Sequence, residues 1–286
     1  MRISDRMMQM TTMLGIRLNQ ARVAEAQRQA TSGRRVERAS DDPVAAARAM
    51  RMQGQIANIE QFERNSVSAT TRLATEETVL KAARELMARA RKAAMGVTSD
   101  DPNDPTRKAA LQEVQFIREQ MVSLANTRVG DERLFGGGST AAPFQADGTY
   151  TGGTQVHDVL VDEGVTLPTS HTGQVFASTF SSLNAMESAL AAGPVSGVAA
   201  TVQQVAAADQ DLLGVQTEAG ARQRHVDDTV KQLAGRQQLL LDRTQELLDA
   251  DPAESILKLT SASQSLERAY AVSQRTMSLN IVNWMR

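Results

Sequence analysis

Residues 251–286, DPAESILKLTSASQSLERAYAVSQRTMSLNIVNWMR, decide the class of fold. Asp251 can accept the free N–H groups of a helix start and Pro252 suits the first helical position, so a helix is predicted to begin here. Nine later positions alternate in steps of three and four residues, which is the spacing of a helix that packs along another helix. These positions are Ile256, Leu259, Ser263, Leu266, Tyr270, Ser273, Met277, Asn280 and Trp284. The segment therefore predicts one long helix whose single apolar stripe needs a partner.

The first residues carry a similar stripe. Apolar side chains separated by four, three and four residues predict a helix over 1–38, which Gly33 interrupts. Neither terminal segment has a hairpin partner beside it in the sequence, so we expect both to be mobile in the monomer and to fold against each other or against other molecules. The predicted contact residues are Ile3, Met7, Met10, Leu14, Ile256, Leu259, Leu266, Tyr270, Met277, Ile281 and Trp284.

Three further helices are predicted between the terminal segments. Pro43 and Pro105 each follow an aspartate, as Pro252 does, and each pair predicts a helix start. The helix from 44 runs for about fifty residues, and the helix from 105 ends near Gly130. In the C-terminal half, apolar residues recur at intervals of seven, at Val226, Leu233, Leu240 and Leu247.

The segment between these helices has a different composition. Nine of the 18 glycines fall between Gly130 and Gly173, and 134–221 contains no Lys or Arg. Three short runs, at 154–161, 164–167 and 173–176, are bounded by glycine or proline and predict strands. We therefore predict a small β-rich insertion that leans on the helices.

The predicted fold class is mainly α, with long antiparallel helices from both chain ends forming a coiled-coil-like rod. Its three regions are a terminal coiled coil of residues 1–42 plus 251–286, a helical rod of 43–133 plus 190–250, and a small inserted β-rich domain of 134–189. Hydrophobic residues make up 41% of the chain but aromatic residues only 3%, a balance that favours packing of helix on helix.

Composition also excludes several classes of protein. The chain has no cysteine, which excludes disulfide frameworks, thiolate catalysis and cysteine-based metal sites. A net charge of −2 argues against nucleic acid or an anionic membrane as the principal partner. No apolar run approaches the ~18 residues of a membrane span. Charges at Arg2, Asp5 and Arg6 make the first residues a poor cleavable signal peptide.

No catalytic, cofactor or metal site is predicted. His157 and His171 lie in the insertion, where they could approach one another, but no HExxH spacing is present. Residues 99–105, SDDPNDP, lack the glycine and glutamate of a calcium loop and indicate a capped turn. Residues 136–140, GGGST, have no lysine before the hydroxyls and indicate a hinge into the insertion, in place of a phosphate loop.

Five stretches of the sequence resemble the flagellin superfamily: MRIS at 1–4, TSG at 31–33, ASDDPV at 39–44, RLFGG at 133–137 and SLNI at 278–281. The chain is most similar to the hook-filament junction family. Flagellins usually carry alanine where Pro43 stands, and RLFGG resembles the Leu-Phe-Gly element of the junction family. The resemblance covers residues 1–135 and 195–286. Asn280 and Asn283 depart from the Ser-Leu-Leu type of ending that is common in the family.

This resemblance implies a structural component of the bacterial flagellum, which joins hook to filament as an exported, self-assembling axial protein. Such proteins leave the cell unfolded through the flagellar type III apparatus, with an export chaperone at the C-terminal helix. The implied partners are the adjoining hook-associated protein, flagellin and further copies of the chain in a ring, with no nucleic acid and no membrane. The insertion would face outward, and the hinge between layers would be at Asp42, Pro43, Asp251 and Pro252.

Three other interpretations stay open. The first is filament flagellin itself, which would grow long filaments from seeds. The second is a helical coiled-coil secretion or signalling protein, which would not need both termini together. The third is an enzymatic role for the insertion, for which no convergent set of side chains is found in the sequence.

Overall fold

The computed structural model of the protein describes the backbone of residues 2–284 and the side chains of residues 7–8 and 10–275. Long helices dominate this range, so the predicted mainly α fold class is confirmed. The helices are α1 (Arg2–Ser32), α2 (Pro43–Met95), α3 (Pro105–Ala125), α4 (Ala177–Ala192), α5 (Val195–Leu248) and α6 (Pro252–Trp284). The strands are β1 (Arg128–Val129), β2 (Glu132–Arg133), β3 (Asp158–Asp162) and β4 (Val165–Pro168).

The three predicted helix starts are confirmed. Asp42 Oδ1 accepts the N–H of Ala45 at 3.0 Å at the start of α2. Asp104 Oδ1 accepts the N–H groups of Thr106 and Arg107 at the start of α3. Asp251 Oδ1 accepts the N–H of Ala253 at 2.8 Å at the start of α6. Each carboxylate satisfies backbone donors that have no partner inside the helix.

The chain forms two compact units. The terminal unit consists of Met1–Ala57 and Gln237–Arg286, and the central unit consists of Asn58–Arg236. The core of the central unit combines the apolar faces of α2, α3, α4 and α5. Its members include Leu80, Met87, Ile117, Met121, Leu183, Met186, Val198 and Leu212.

A buried arginine joins α3 to the end of α4 in the central unit. The Arg107 side chain has no solvent exposure. Its guanidinium donates to the carbonyls of Leu190 at 2.7 Å and Ala189 at 2.6 Å, and also to that of Gly193. These carbonyls belong to the last turn of α4 and to Gly193 just after it, where the partial charge of a helix is negative and most carbonyls have no partner within the helix.

The insertion is only partly β. β3 and β4 form an antiparallel hairpin with a register shift between Leu160 and Asp162, and Val159 and Leu167 pack against Ala69, Leu73 and Val226. The strand predicted over 154–161 begins only at Asp158. The strand predicted for Gly173–Phe176 is wrong, because these residues form a 3₁₀ turn that leads directly into α4.

An aromatic cluster explains that turn. The Phe176 ring packs edge-on against the rings of Phe135 at 5.0 Å and Phe144 at 5.8 Å, measured between ring centroids. A side chain at Gly173 would collide with the ring of Tyr150. Glycine at 173 thus lets the chain pass close to the cluster, and the turn places Phe176 inside it.

Candidate assembly surface on the terminal helices

The two linkers of the terminal unit bond to each other through their backbones. The N–H of Arg35 donates to the carbonyl of Leu248 at 2.7 Å, and the N–H of Ala250 donates to the carbonyl of Gly33 at 2.9 Å. Gly33 ends α1 with a φ of 69°, a left-handed conformation that glycine adopts without strain. We call this pairing of 33–36 with 248–250 the linker clasp. It places the end of α1 beside the start of α6, so the two helices run antiparallel.

Charged side chains reinforce the linker clasp. The Arg35 guanidinium donates to the carbonyl of Leu247 at 2.8 Å and to Asp42 Oδ2 at 3.1 Å. The hydrogen bond from the Ala45 N–H, followed by that from Arg35, holds the pKa of Asp42 below its usual value. The N–H of Arg38 does most to lower the pKa of Asp41. Both linker aspartates therefore stay ionised well into the acid range.

The pairing of α1 with α6 combines small and polar side chains with a few larger apolar ones. On α1 its less exposed positions recur in steps of three and four but in a different phase from the prediction, and they include Thr12, Ile16, Asn19, Val23 and Ala26. On α6 they include the predicted Leu259, Ser263, Leu266 and Ser273, together with Ser255, Ala262 and Ala269. Gln20 Nε2 donates to the Tyr270 hydroxyl at 2.8 Å along the edge of this contact.

Most of the predicted contact residues that are described lie outside this pairing. The side chains of Met7, Met10, Leu14 and Ile256 are 68%, 78%, 60% and 61% exposed, and that of Tyr270 is 43% exposed. Leu259 and Leu266 are half-buried between α1 and α6. The side chains of Ile3, Met277, Ile281 and Trp284 lie outside the described residues. We call Met7, Met10 and Leu14, which recur at steps of three and four along α1, the apolar stripe. Ile256 is also exposed, but it lies at the opposite end of the helix pair, near the linker clasp.

Sequence reasoning missed part of the pairing of α1 with α6. Ala26, Ser255, Ala262 and Ala269 line it, and a hydrophobicity pattern gives such small residues little weight. The recurrence of Ser255, Ala262 and Ala269 at intervals of seven was the available signal. Small side chains let the two helices approach closely, which leaves the larger methionine, leucine and isoleucine side chains on the outer face.

The two insertion histidines take part in separate networks. His157 Nδ1 lies 3.1 Å from Thr169 Oγ1. His171 Nδ1 lies 2.8 Å from the fully buried Glu76 carboxylate, and its Nε2 lies 3.4 Å from Glu218 Oε2. Burial is the largest single influence on His171 and lowers its pKa, but the hydrogen bond to Glu76 and the charge of Glu76, with a smaller contribution from Glu218, together outweigh burial, so the pKa is raised overall. His171 therefore ties the insertion to α2 and α5 as an ion-paired side chain.

The described residues show neither a membrane span nor a metal site. No helix within 2–284 is both long enough and apolar enough to cross a bilayer. Among the side chains of 7–8 and 10–275, no three histidine or carboxylate groups are arranged to hold a metal ion. The candidate functional surface is therefore the terminal unit, with its apolar stripe and the linker clasp.

The known proteins whose sequences resemble this chain are flagellar. Residues 3–140 match the model of the bacterial flagellin N-terminal helical region. Flagellar hook-associated protein 3 of Salmonella typhimurium is 35% identical over 182 residues, which are 62% of this chain and 57% of that protein. The match thus spans little more than half of that relative's length. The resemblance to the flagellin superfamily and to hook-associated proteins, predicted from sequence motifs, is confirmed.

Two more relatives extend the likeness over more of the chain. A flagellin of Halalkalibacterium halodurans is 23% identical over 252 residues, covering 86% of this chain and 84% of that one. The structure of the flagellar junction protein FlgL from Legionella pneumophila matches with a TM-score of 0.56 at 17% identity, covering 72% of this chain and all of that one. The second likeness shows a shared fold.

Proposed function

We propose that this chain, which carries the flagellin N-terminal helical region and resembles hook-associated protein 3, joins hook to filament as a self-assembling axial protein of the bacterial flagellum. The observation that carries the proposal is the apolar stripe, which the pairing of α1 with α6 leaves exposed. A row of exposed large apolar side chains is typical of a surface that another protein covers. In this function, terminal helices of neighbouring molecules cover it.

The stripe has enough apolar surface to drive association. Burying one Met or Leu side chain contributes about 1.5–3 kcal/mol, so the three side chains of the stripe offset a sizeable part of the cost of association. In a ring, every subunit buries its stripe against a neighbour, so the free energy gained by burial is repeated at each contact.

The proposed partners are those that the family resemblance implies. The adjoining hook-associated protein lies on one side of the ring and flagellin on the other, and an export chaperone covers the C-terminal helix before secretion by the type III route. The protein acts outside the cell, in the flagellum, and has no enzymatic activity. Asp42, Pro43, Asp251 and Pro252 lie where linkers meet helices, which fits a hinge between an inner layer of 1–42 plus 251–286 and a rod of 43–133 plus 190–250. Residues 134–189 face outward.

Deletion of the gene tests the proposal. We expect cells with hooks but no filaments, with flagellin released into the medium. Normal filaments in the deletion strain would contradict the proposal, and loss of the filament protein itself would identify the chain as flagellin.

A matched pair of variants tests the role of the stripe. Leu14→Asp places a charge in the stripe and should fail to restore filaments in the deletion strain, because the charge cannot be buried without a partner. Gln27→Asp makes the same kind of change at an exposed polar position of α1 and should restore them. Both variants should be secreted equally, which separates assembly from export. Equal restoration by both would contradict the role of the stripe.

A further inference from the structure

The central unit contains a cavity of about 230 Å³ beside the short β1–β2 hairpin. The glycine-rich loop 136–140 forms one wall, and residues 155–157, just before β3, form another. The charged side chains at the cavity are Arg72, Glu132, Arg133 and His157. A cavity of this size holds a small ion together with several waters, since each water occupies about 30 Å³ in the liquid.

The two arginines at the cavity have hydrogen-bonding capacity that the protein does not use. Arg72 is only 8% exposed and pairs with Glu132 Oε2 at 2.9 Å, while Arg133 Nη1 donates to the carbonyl of Asn126. The Nε–H of each guanidinium is buried and has no acceptor. Buried donors of this kind are rare in folded proteins and indicate a bound water or ion. With two guanidinium groups and one carboxylate, the cavity carries an excess of positive charge.

His157 can add a donor to the same cavity. The Thr169 hydroxyl donates to the carbonyl of His157 at 2.8 Å, so its oxygen is left to accept the proton of His157 Nδ1. His157 Nε2 is then the ring nitrogen left to face the cavity. It lies 3.7 Å from Glu132 Oε2, among the charged groups of the cavity.

The glycine-rich loop shapes the wall of the cavity. Gly137 and Gly138 have φ values of 61° and 89°, and a side chain at Gly137 would collide with the carbonyl of Gly153. The loop therefore needs glycine in order to lie against 152–153. The absence of a lysine from GGGST made a phosphate loop a poor prediction here. In the folded protein, however, Arg72 of α2 and Arg133 of β2 bring two positive charges to this loop.

We propose that this cavity binds a small oxyanion, a phosphate or a carboxylate, through Arg72, Arg133 and His157. The anion balances the excess positive charge and accepts hydrogen bonds that the protein does not supply. It comes either from free phosphate or from an acidic side chain of a neighbouring molecule. The proposal does not depend on the flagellar function.

Titration of the full-length protein with inorganic phosphate, and separately with acetate, tests the proposal at constant ionic strength. Calorimetry and phosphorus NMR should show saturable binding of one ion per chain. Arg133→Gln should weaken it about tenfold or more, as expected for loss of a charged hydrogen bond, and His157→Gln should weaken it by removing the imidazole from the cavity. Arg118→Gln, which removes an ion pair with Glu187 away from the cavity, should bind as the wild type does.

The result also identifies the source of the anion. Saturation by phosphate alone indicates the free ion, and comparable saturation by acetate indicates an acidic side chain of a neighbour. The proposal would be overturned if neither ion showed saturable binding. It would also be overturned if Arg133→Gln bound as the wild type does while its circular dichroism equalled that of the wild type.

Discussion

The terminal and central units bury different kinds of side chain. In the central unit the core is made of Leu, Met, Ile and Phe, and all of the largest fully buried side chains among the described residues lie within 58–236. In the terminal unit the buried residues are mostly Ala, Ser and Val, while Met7, Met10, Leu14 and Ile256 face solvent. The central unit therefore has its own source of stability, and the terminal unit keeps much of its apolar surface for other molecules.

The largest expected effect concerns Arg107 of the central unit. Arg107→Leu removes the side-chain donor from the carbonyls of Leu190 and Gly193 and leaves them buried, so the free energy of unfolding should fall by about 3–5 kcal/mol. Urea denaturation followed by circular dichroism measures it. Arg89→Leu, which breaks an exposed ion pair with Glu113, should cost less than about 1 kcal/mol. Equal losses for both variants would show that burial of Arg107 has no energetic weight.

A matched pair of leucines tests the comparison directly. Leu183→Ala creates a cavity in the core of the central unit and should lower the free energy of unfolding by about 2–5 kcal/mol. Leu14→Ala removes an exposed side chain and should change the stability of the monomer by at most about 0.5 kcal/mol. It should nevertheless weaken assembly, measured by sedimentation. A large loss of monomer stability for Leu14→Ala would mean that the stripe is covered within one chain.

A pH dependence is expected in the central unit from His171. Because its pKa is raised in the folded state, it adds stability that is complete below the unfolded pKa of 6.5 and is lost as the pH rises through the folded pKa. Between about pH 6 and 9, the free energy of unfolding should therefore fall more steeply for the wild type than for His171→Gln. Urea titrations across this range measure the slopes. His225→Gln, at an exposed position of α5, is the control and should keep the slope of the wild type.

The smallest expected effects concern two glycines of the terminal unit. Gly33→Ala should destabilise the end of α1 by about 1–2 kcal/mol, because alanine is strained at a φ of 69°. Gly15→Ala, inside α1 with open space around it, should stabilise the helix by about 0.5–1 kcal/mol. Amide exchange of α1 measures both changes. Effects of the same sign would contradict the role of Gly33 as the helix end.

Local chemistry made the helix starts predictable. Asp42, Asp104 and Asp251 each precede a proline, and capping needs only these neighbours. The face that α1 turns toward α6 was not predictable in the same way. A methionine and an alanine both suit a helix interface, and which of them faces the partner depends on how closely the helices approach.

Long-range packing decides the features that the sequence did not predict. Gly173 and Phe176 form a turn because rings from distant positions, Phe135 and Phe144, occupy the space beside them. The candidate anion site combines Arg72 of α2 with Arg133 of β2, and no local pattern links these two residues. Both features arise from contacts between residues far apart in the sequence.

The linker clasp has a consequence for the order of folding. It joins backbone groups that are separated by about two hundred residues, and closing so long a loop in an unfolded chain costs conformational entropy. Folding of the central unit replaces most of that flexible loop with ordered chain. The linker clasp should therefore form after the central unit, together with the antiparallel pairing of α1 with α6. The contacts between residues farthest apart in the sequence then form last.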